Sequence, residues 1–571
     1  MNAAKEKKKT RKKNPPSEFK KVLNVIRSMH TPLHIIEVEL DVLLLQHYRM
    51  KRIGEHLRVI RNTVLGELYK NYLQMARTKK YYTLLKRYGW ISCELTKTPD
   101  DARLLEKELT QLKEQLSELR DSHNVTFDFA RKYGARLREK KFQLLDAVTV
   151  WSVCEMAWKT MEKIMFSDGE KPYFYKKSDL ITFQGKQAER CIILKHNKKT
   201  NEFYVSYHGM NFPLKIKQND LFITETLSHI RNYYMVNGTE IDRINVDRHL
   251  AGKPILPTYR IHNNRIVRKE IRGKIRYFVQ ITLEGNPVSK RKKDGSFRHT
   301  LGTGRIGGDI GTQSIGIVSK DQVFLKNLAE RSSNTFETER KIVNIQRYLD
   351  RSRRTTNPKN YNVDGTIKKG KKEWIFSKKY KKAQKKLRNL HRKATESRKY
   401  AHNEDINRLR SVGDVLIIET MNIKGLQKKA KNDGKIEKTG KWKRRKRFGK
   451  SILRRSPGYF IQQAKYRFAL TGGKVSEINT WTFKASQYDH MSNTTTKKQL
   501  SRRWHVLPDG TKIQRDLYSA FLLYCSDNEG QKPDPERCQI EFENFLLLYN
   551  ECIQLIINNR KVVLNSGIKI S

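Results

Sequence analysis

A multidomain α+β protein is the architecture the sequence predicts, and three observations carry it. Residues 100–165 read as helical, with Leu105, Leu109, Leu112, Leu116 and Leu119 recurring at 4-3-4-3 spacing, an a/d stripe. From about 172 to 300 the texture becomes alternating and β-rich, as in RCIILKHN, NEFYVSYHG and KIRYFVQITLEG, with Asn, Gly and Lys turns between the segments. From about Ile306 the pattern turns mixed α/β, with short apolar runs that end in acids.

Charge narrows the function classes. The 571 residues hold 118 Lys plus Arg against 59 Asp plus Glu, a net charge of +59. A folded chain with that surplus repels itself unless a polyanion neutralises it. Hydrophobic residues at 37% and aromatics at 9% are enough for real cores, which excludes a disordered basic tail protein. No run approaches the ~18 apolar residues of a membrane span. The start KEKKKTRKKNPP has no apolar signal core. The six cysteines lie at least 13 positions apart with no CxxC, so neither a disulfide framework nor a zinc ribbon is expected. The expectation is a soluble, intracellular nucleic-acid binder with no membrane partner.

In chain order, residues 1–16 read as a solvated basic arm ended by Asn14-Pro15-Pro16. A strand follows from His34 (HIIEVELDV), then a helix from about Gln46 to Met75. The leucine stripe is only about two heptads long. It fits a hairpin packed inside a helical lobe or a dimerisation helix, so the oligomeric state stays open. The β-rich region fits a small barrel or sandwich.

Three acids stand out in the C-terminal half. Asp309 ends a strand in RIGGDIGTQSIGIVS, between glycines that let backbone approach closely. Glu419 closes the apolar run Val415 to Ile418, where an acid is costly unless paired, hydrogen-bonded or metal-bound. Asp516 opens a helical face of Leu517, Ala520, Phe521 and Leu523, where it favours the dipole. Each alone fits a turn former, a Lys-paired carboxylate or a helix cap. Together, three converging carboxylates repel, and at least one is forced to hold a proton. Two Mg²⁺ ions about 3.5–4 Å apart, for which Mn²⁺ can substitute, remove that conflict and support phosphodiester hydrolysis.

Two basic blocks flank the second acid. Residues 368–393 hold 13 Lys/Arg against Glu373, a net +12, with Trp374, Phe376 and Tyr380 interleaved. Residues 428–455 hold 14 against Asp433 and Glu437, also +12. Lys378, Lys379, Lys382, Lys441, Trp442, Arg444, Arg445 and Arg447 are the candidate nucleic-acid contacts. Cations there track phosphates while aromatics stack on unpaired bases, or else the aromatics are core and the charges a solvated face.

GGDIGTQSIGIVS, VLIIETMNIKGL and QRDLYSAFL resemble the three motifs of the RuvC nuclease domain in TnpB proteins, the transposon-encoded RNA-guided DNA nucleases related to type V CRISPR effectors. IVNIQRYLDRSRR resembles that family's arginine-rich helix, and SPGYFIQQAKYRFALTGGKVSEINTWTFKASQYDH its helix and strand after motif two. The resemblance is specific over about 300–525 and architectural upstream. It implies a basic tail (1–16), a wedge-like β-barrel module (17–60 and 171–300) and a helical recognition lobe (61–170). The remainder, 301–571, is then an RNase H-like (RuvC) nuclease domain with a basic helical insertion (330–412) and a lid region (480–514). It further implies Asp309, Glu419 and Asp516 as catalytic metal ligands for Mg²⁺, with Asn422 as a neighbour. The implied partners are a guide RNA and a double-stranded DNA target with a short flanking motif, in the cytoplasm of a prokaryotic cell. The family's four-cysteine zinc ribbon is not matched. Asp489, Val506 and Asp509 stand where cysteines are expected, and valine cannot ligate zinc. An alternative set of Asp489, His490, His505 and Asp509 is the weaker reading. Two rival functions stay open: a guided DNA-binding protein or repressor that does not cleave, and a transposase-type enzyme of the same fold.

Overall fold

A computed structural model describes residues 17–28, 32–95, 102–167, 169–177, 179–186, 188–330, 335–427, 449–497, 499, 502–527 and 529–569. The chain divides into two compact units, 1–288 and 289–571. Among the described residues no helix is long and apolar enough to cross a membrane.

The first unit runs α1 (Glu18–Ser28), β1 (Leu33–Leu40), α2 (Leu44–Ala76), α3 (Lys79–Glu94), α4 (Ala102–Ser122), α5 (Phe127–Lys141) and α6 (Ala147–Phe166). It continues with β2 (Phe183–Gln184), β3 (Ile193–Asn197), β4 (Glu202–Tyr207), β5 (Met210–Lys215), α7 (Leu221–Arg231), α8 (Gly238–Leu250), β6 (Ile261–Ile271) and β7 (Lys274–Glu284). Alternation decides which face is buried. His34, Ile36, Val38 and Leu40 of β1 and Tyr277, Val279, Ile281 and Leu283 of β7 are buried. They share one core with Leu57, Ile60, Val64 and Leu68 of α2 and Val150, Val153 and Ala157 of α6.

The β-rich region corrects the expected barrel or sandwich. The seven strands form one sheet, ordered β2-β6-β7-β1-β5-β4-β3, and among the described residues its edges do not pair. Closure needs a continuous shear, and here β1 and β5 meet over only Glu39↔Lys215 and Leu40↔Leu214. Helices cover the apolar face that a second sheet would otherwise cover. In α4, Leu112, Leu116 and Leu119 are buried, and Leu116 and Leu119 join Met75 and Tyr81 of α2 and α3. Arg87 donates to both Glu108 oxygens, at 2.7 and 2.8 Å, across the α3–α4 pair. The stripe therefore packs within its own unit.

The second unit runs β8 (Arg305–Ile310), β9 (Ser314–Ser319), β10 (Val323–Asn327), α9 (Thr335–Thr356), α10 (Lys378–Val412), β11 (Val415–Glu419), α11 (Ile423–Gln427) and α12 (Gly449–Arg455). It then runs α13 (Pro457–Ala469), β12 (Lys474–Ile478), α14 (Thr480–Phe483), β13 (Tyr488–Asp489), β14 (Thr494–Thr495), β15 (Trp504–Val506), β16 (Lys512–Gln514), α15 (Arg515–Tyr524) and α16 (Pro535–Asn558). Its main sheet is ordered β10-β9-β8-β11-β12. The first three strands are antiparallel, and β8, β11 and β12 are parallel. α10 and α13 cover one face through Ile406, Leu409, Phe460 and Phe468. α15 and α16 cover the other through Leu517, Phe521, Phe542 and Phe545.

Two glycines fix how closely α15 lies on the sheet. A Cβ on Gly307 would stand 2.0 Å from the Ala520 carbonyl, and one on Gly316 2.8 Å from the Asp516 carbonyl. Gly307→Ala is expected to lower the stability of the second unit by at least about 2 kcal/mol, since backbone must move to admit the methyl; thermal unfolding of the full chain reads it.

Buried His402 adds a pH-dependent term. Its Nε2–H donates to the Arg455 carbonyl at 2.8 Å, and burial lowers its pKa to about 4. The unfolded chain takes up this proton first, near the ordinary value of about 6.5. The stabilising contribution is thus full above that value and is lost as pH falls towards 4. His402→Gln is expected to flatten the pH dependence of unfolding in that window.

Candidate metal-dependent active site

The three acids come together by register. β11 pairs with β8 in parallel, Ile418 opposite Gly308, so Glu419 follows in line with Asp309. Asp309 is also the direct antiparallel partner of Gly316 on β9. Gly316 is the residue on which the Asp516 carbonyl rests. Side chains of paired residues share a face. Gly307 and Gly316 face α15, so Asp309 does too, and Ile417, two residues before Glu419, joins the α15 core. All three carboxylates therefore meet on one face, at the carboxyl ends of β8 and β11. The strand order reverses between these two strands, which is where open sheets leave a crevice.

Asp516 is held from behind. Gln514 caps α15, its Oε1 accepting the Leu517 amide at 2.9 Å. Its Nε2 donates to Ser566 O at 3.2 Å and its backbone amide to the Tyr549 hydroxyl at 3.1 Å. A polar residue just before a helix is a cap signal in sequence, but its two anchors lie far along the chain. Arg515 Nη2 is 3.4 Å from Asp516 Oδ1.

The electrostatics are those of crowded like charges. Burial, then the charges of Asp516 and Glu419, push the Asp309 carboxyl well above the ordinary carboxylate range, with Arg515 alone pulling it back. Burial also pushes Glu419 up, offset by the Ala485 amide. Glu419 Oε1 is buried with no hydrogen-bond partner. Among the described residues no three His, Cys, Asp or Glu side chains are placed to hold a metal ion, these acids included. The donor chemistry nevertheless fits a hard divalent cation: three carboxylates, one with an orphaned oxygen, in mutual repulsion that a cation relieves. Asn422 Oδ1 accepts the Gly425 amide at 2.8 Å at the start of α11.

The chain is similar, at a low level, to several solved chains. One is a Cas12i complex with crRNA and double-stranded DNA, 9% identical with a TM-score of 0.24, matched over 77% of this chain and 56% of that one. Another is a Cas12i1 R-loop complex before target DNA cleavage, 9% identical with a TM-score of 0.22, over 89% and 64%. A third is a Cas12i–crRNA–dsDNA complex in an I1 state, 10% identical with a TM-score of 0.20, over 72% and 58%. The chain thus spans less than two thirds of the length of these solved chains. No protein-family model and no curated protein matches it.

The basic blocks resolve unequally. Lys378, Lys379 and Lys382 are exposed on the first turns of α10, and none forms an ion pair among the described residues. The interleaved aromatics are engaged with one another. Trp374 and Phe376 are parallel with centroids 6.5 Å apart, Phe376 and Tyr380 at 4.5 Å, and Tyr380 is buried. Arg353 lies 5.5 Å above the Trp374 ring. Asn357 latches this loop, exchanging hydrogen bonds with the Ile375 backbone at 2.7 and 2.9 Å. These rings therefore pack on one another, with Tyr380 buried and Trp374 and Phe376 half-buried. Lys441, Trp442, Arg444, Arg445 and Arg447 lie outside the described residues. At the end of that block Arg454 pairs with Glu339 at 2.6 Å and Arg455 donates to Leu328 O at 2.8 Å, both structural uses.

Replacing Lys378, Lys379 and Lys382 together by Ala is expected to lower the salt slope of nucleic-acid binding by about one per lysine on a phosphate. Filter binding across a salt series measures it.

Proposed function

We propose that this chain is an RNA-guided, Mg²⁺-dependent DNA endonuclease of the TnpB and type V effector kind. The observation that carries the reading is the convergence of Asp309, Glu419 and Asp516 on one sheet face, with Asp309 pushed up by burial and then by the other two charges, and Glu419 Oε1 unpaired. The three sequence motifs and the basic surplus support it. RNA guidance rests on the motif resemblance, as do the flanking DNA motif and the exchangeability of Mn²⁺ for Mg²⁺.

Asp309, Glu419 and Asp516 would hold the ions. Bound divalent metal supplies an activated water and charge stabilisation for the leaving oxygen of a phosphodiester. The chain's own contribution is positioning. β8 and β11 hold two carboxylates in register, and the Gln514 cap holds the third at the start of α15. The exposed lysines of α10 lie on the same unit and offer phosphate contacts.

Purifying the chain with its bound RNA, sequencing that RNA and supplying a matched duplex with a randomised flank tests the reading. Mg²⁺-dependent cuts are expected. Asp309→Ala, Glu419→Ala or Asp516→Ala should each reduce cleavage by about 10³-fold or more while guided DNA binding remains. Binding without cuts at any flank indicates a non-cleaving guided binder. Binding to transposon ends without RNA indicates a strand-transfer enzyme. Normal cutting by Asp516→Ala removes it from the site.

A further inference from the structure

The resembled family's zinc ribbon is not matched in the lid region 480–514, and the described side chains there bear this out in their chemistry. Val506 has no donor atom, and both Asp509 oxygens are taken by Thr511, from its amide at 2.9 Å and its hydroxyl at 2.8 Å. Asp489, His490 and His505 bond within the lid and to α15. His505 Nε2–H donates to Asp489 Oδ2 at 3.2 Å, linking the β15–β16 hairpin to the β13–β14 hairpin. Asp489 Oδ1 accepts the Met491 and Ser492 amides at 3.0 and 3.2 Å. The Tyr518 hydroxyl oxygen accepts the His490 amide at 3.1 Å and donates its proton to His490 Nδ1 at 2.8 Å.

Stacking completes the arrangement. The His505 ring lies 4.3 Å from the Tyr518 ring at 15°, and His490 lies 4.5 Å from Phe542 of α16. His490, His505 and Tyr518 are buried, at 3, 2 and 1% exposure. Tyr518 is two residues beyond Asp516 on α15, and β16 runs directly into that helix. Both hairpins therefore converge on the first turns of the helix that presents the third acid.

We propose that Asp489, His490, His505 and Tyr518 form a metal-free clamp that fastens the two lid hairpins to α15 and so positions Asp516. The fastening stands on this geometry alone; the positioning of a metal ligand rests on the nuclease reading. His490, His505 and Asp489 are positioning residues, since each acts through α15.

Hydrogen exchange of the full-length chain, followed in peptides covering 488–495 and 504–518, reads the clamp. In 504–518, Asp489→Ala, His505→Phe and the double variant are each expected to speed exchange by the same factor, roughly tenfold, because each breaks the His505–Asp489 hydrogen bond; in 488–495 Asp489→Ala also frees the Met491 and Ser492 amides and exchanges faster still. His505→Phe keeps the ring on Tyr518, so a loss there isolates the N–H. His505→Gln, which retains a donor, should stay within about threefold of the native chain. Unchanged exchange, additive effects, or about one zinc ion bound per chain would overturn the clamp.

Mn²⁺ titration of the same proteins separates the two readings. The clamp predicts about tenfold weaker Mn²⁺ binding in Asp489→Ala, the lower end of what lost support around a metal site does. Unchanged affinity there, with Asp516→Ala weakened, overturns the positioning role. If Asp516→Ala itself binds Mn²⁺ normally, the metal reading fails while hydrogen exchange still decides the clamp.

Discussion

The close approach of α15 to the main sheet is the constraint on which the second unit depends. Gly307 and Gly316 have no Cβ because the Ala520 and Asp516 carbonyls occupy that space. Any larger side chain at either position lifts the helix and moves Asp516 away from the strand that carries Asp309. The same approach buries Leu517, Phe521 and Leu523 completely, so the core that stabilises the unit also delivers the third acid. Packing and site geometry are one requirement here, which explains why glycine sits in the middle of two strands despite its conformational cost.

Local signals made the site legible in the sequence. Val415 to Ile418 is an apolar run with an acid after it, and it forms a strand ending at Glu419. Asp516 before an apolar helical face lies in the first turn of α15. What was not legible depends on distant partners. Alternation marked 172–300 as β-rich, yet the same alternation fits a barrel, a sandwich or an open sheet covered by helices. The choice was made by how few residues join β1 to β5 and by α2 and α6 occupying the apolar face. Likewise nothing local to Trp374, Phe376 and Tyr380 shows that Asn357, just after α9, latches their loop through the Ile375 backbone.

The charge surplus takes on a structure of its own. Several arginines near the second acid motif are occupied in building the unit: Arg353 and Arg354 pair with Asp350 at 2.9 Å, and Arg455 caps a distant carbonyl. Lys378, Lys379, Lys381 and Lys382 are exposed at the start of α10. Acids are half as many as Lys and Arg, and burial pushes Asp309 and Glu419 up. In a chain of net charge +59, a pushed-up Asp309 beside a buried Glu419 oxygen with no hydrogen-bond partner is what the metal proposal rests on.

Anomalous diffraction from crystals of the full chain grown with Mn²⁺ tests that claim most directly. The account predicts a peak bonded by oxygens of Asp309, Glu419 and Asp516, abolished in Asp309→Ala. Crystals that hold Mn²⁺ elsewhere, with Asp309 and Glu419 turned to lysine or arginine partners, would contradict it.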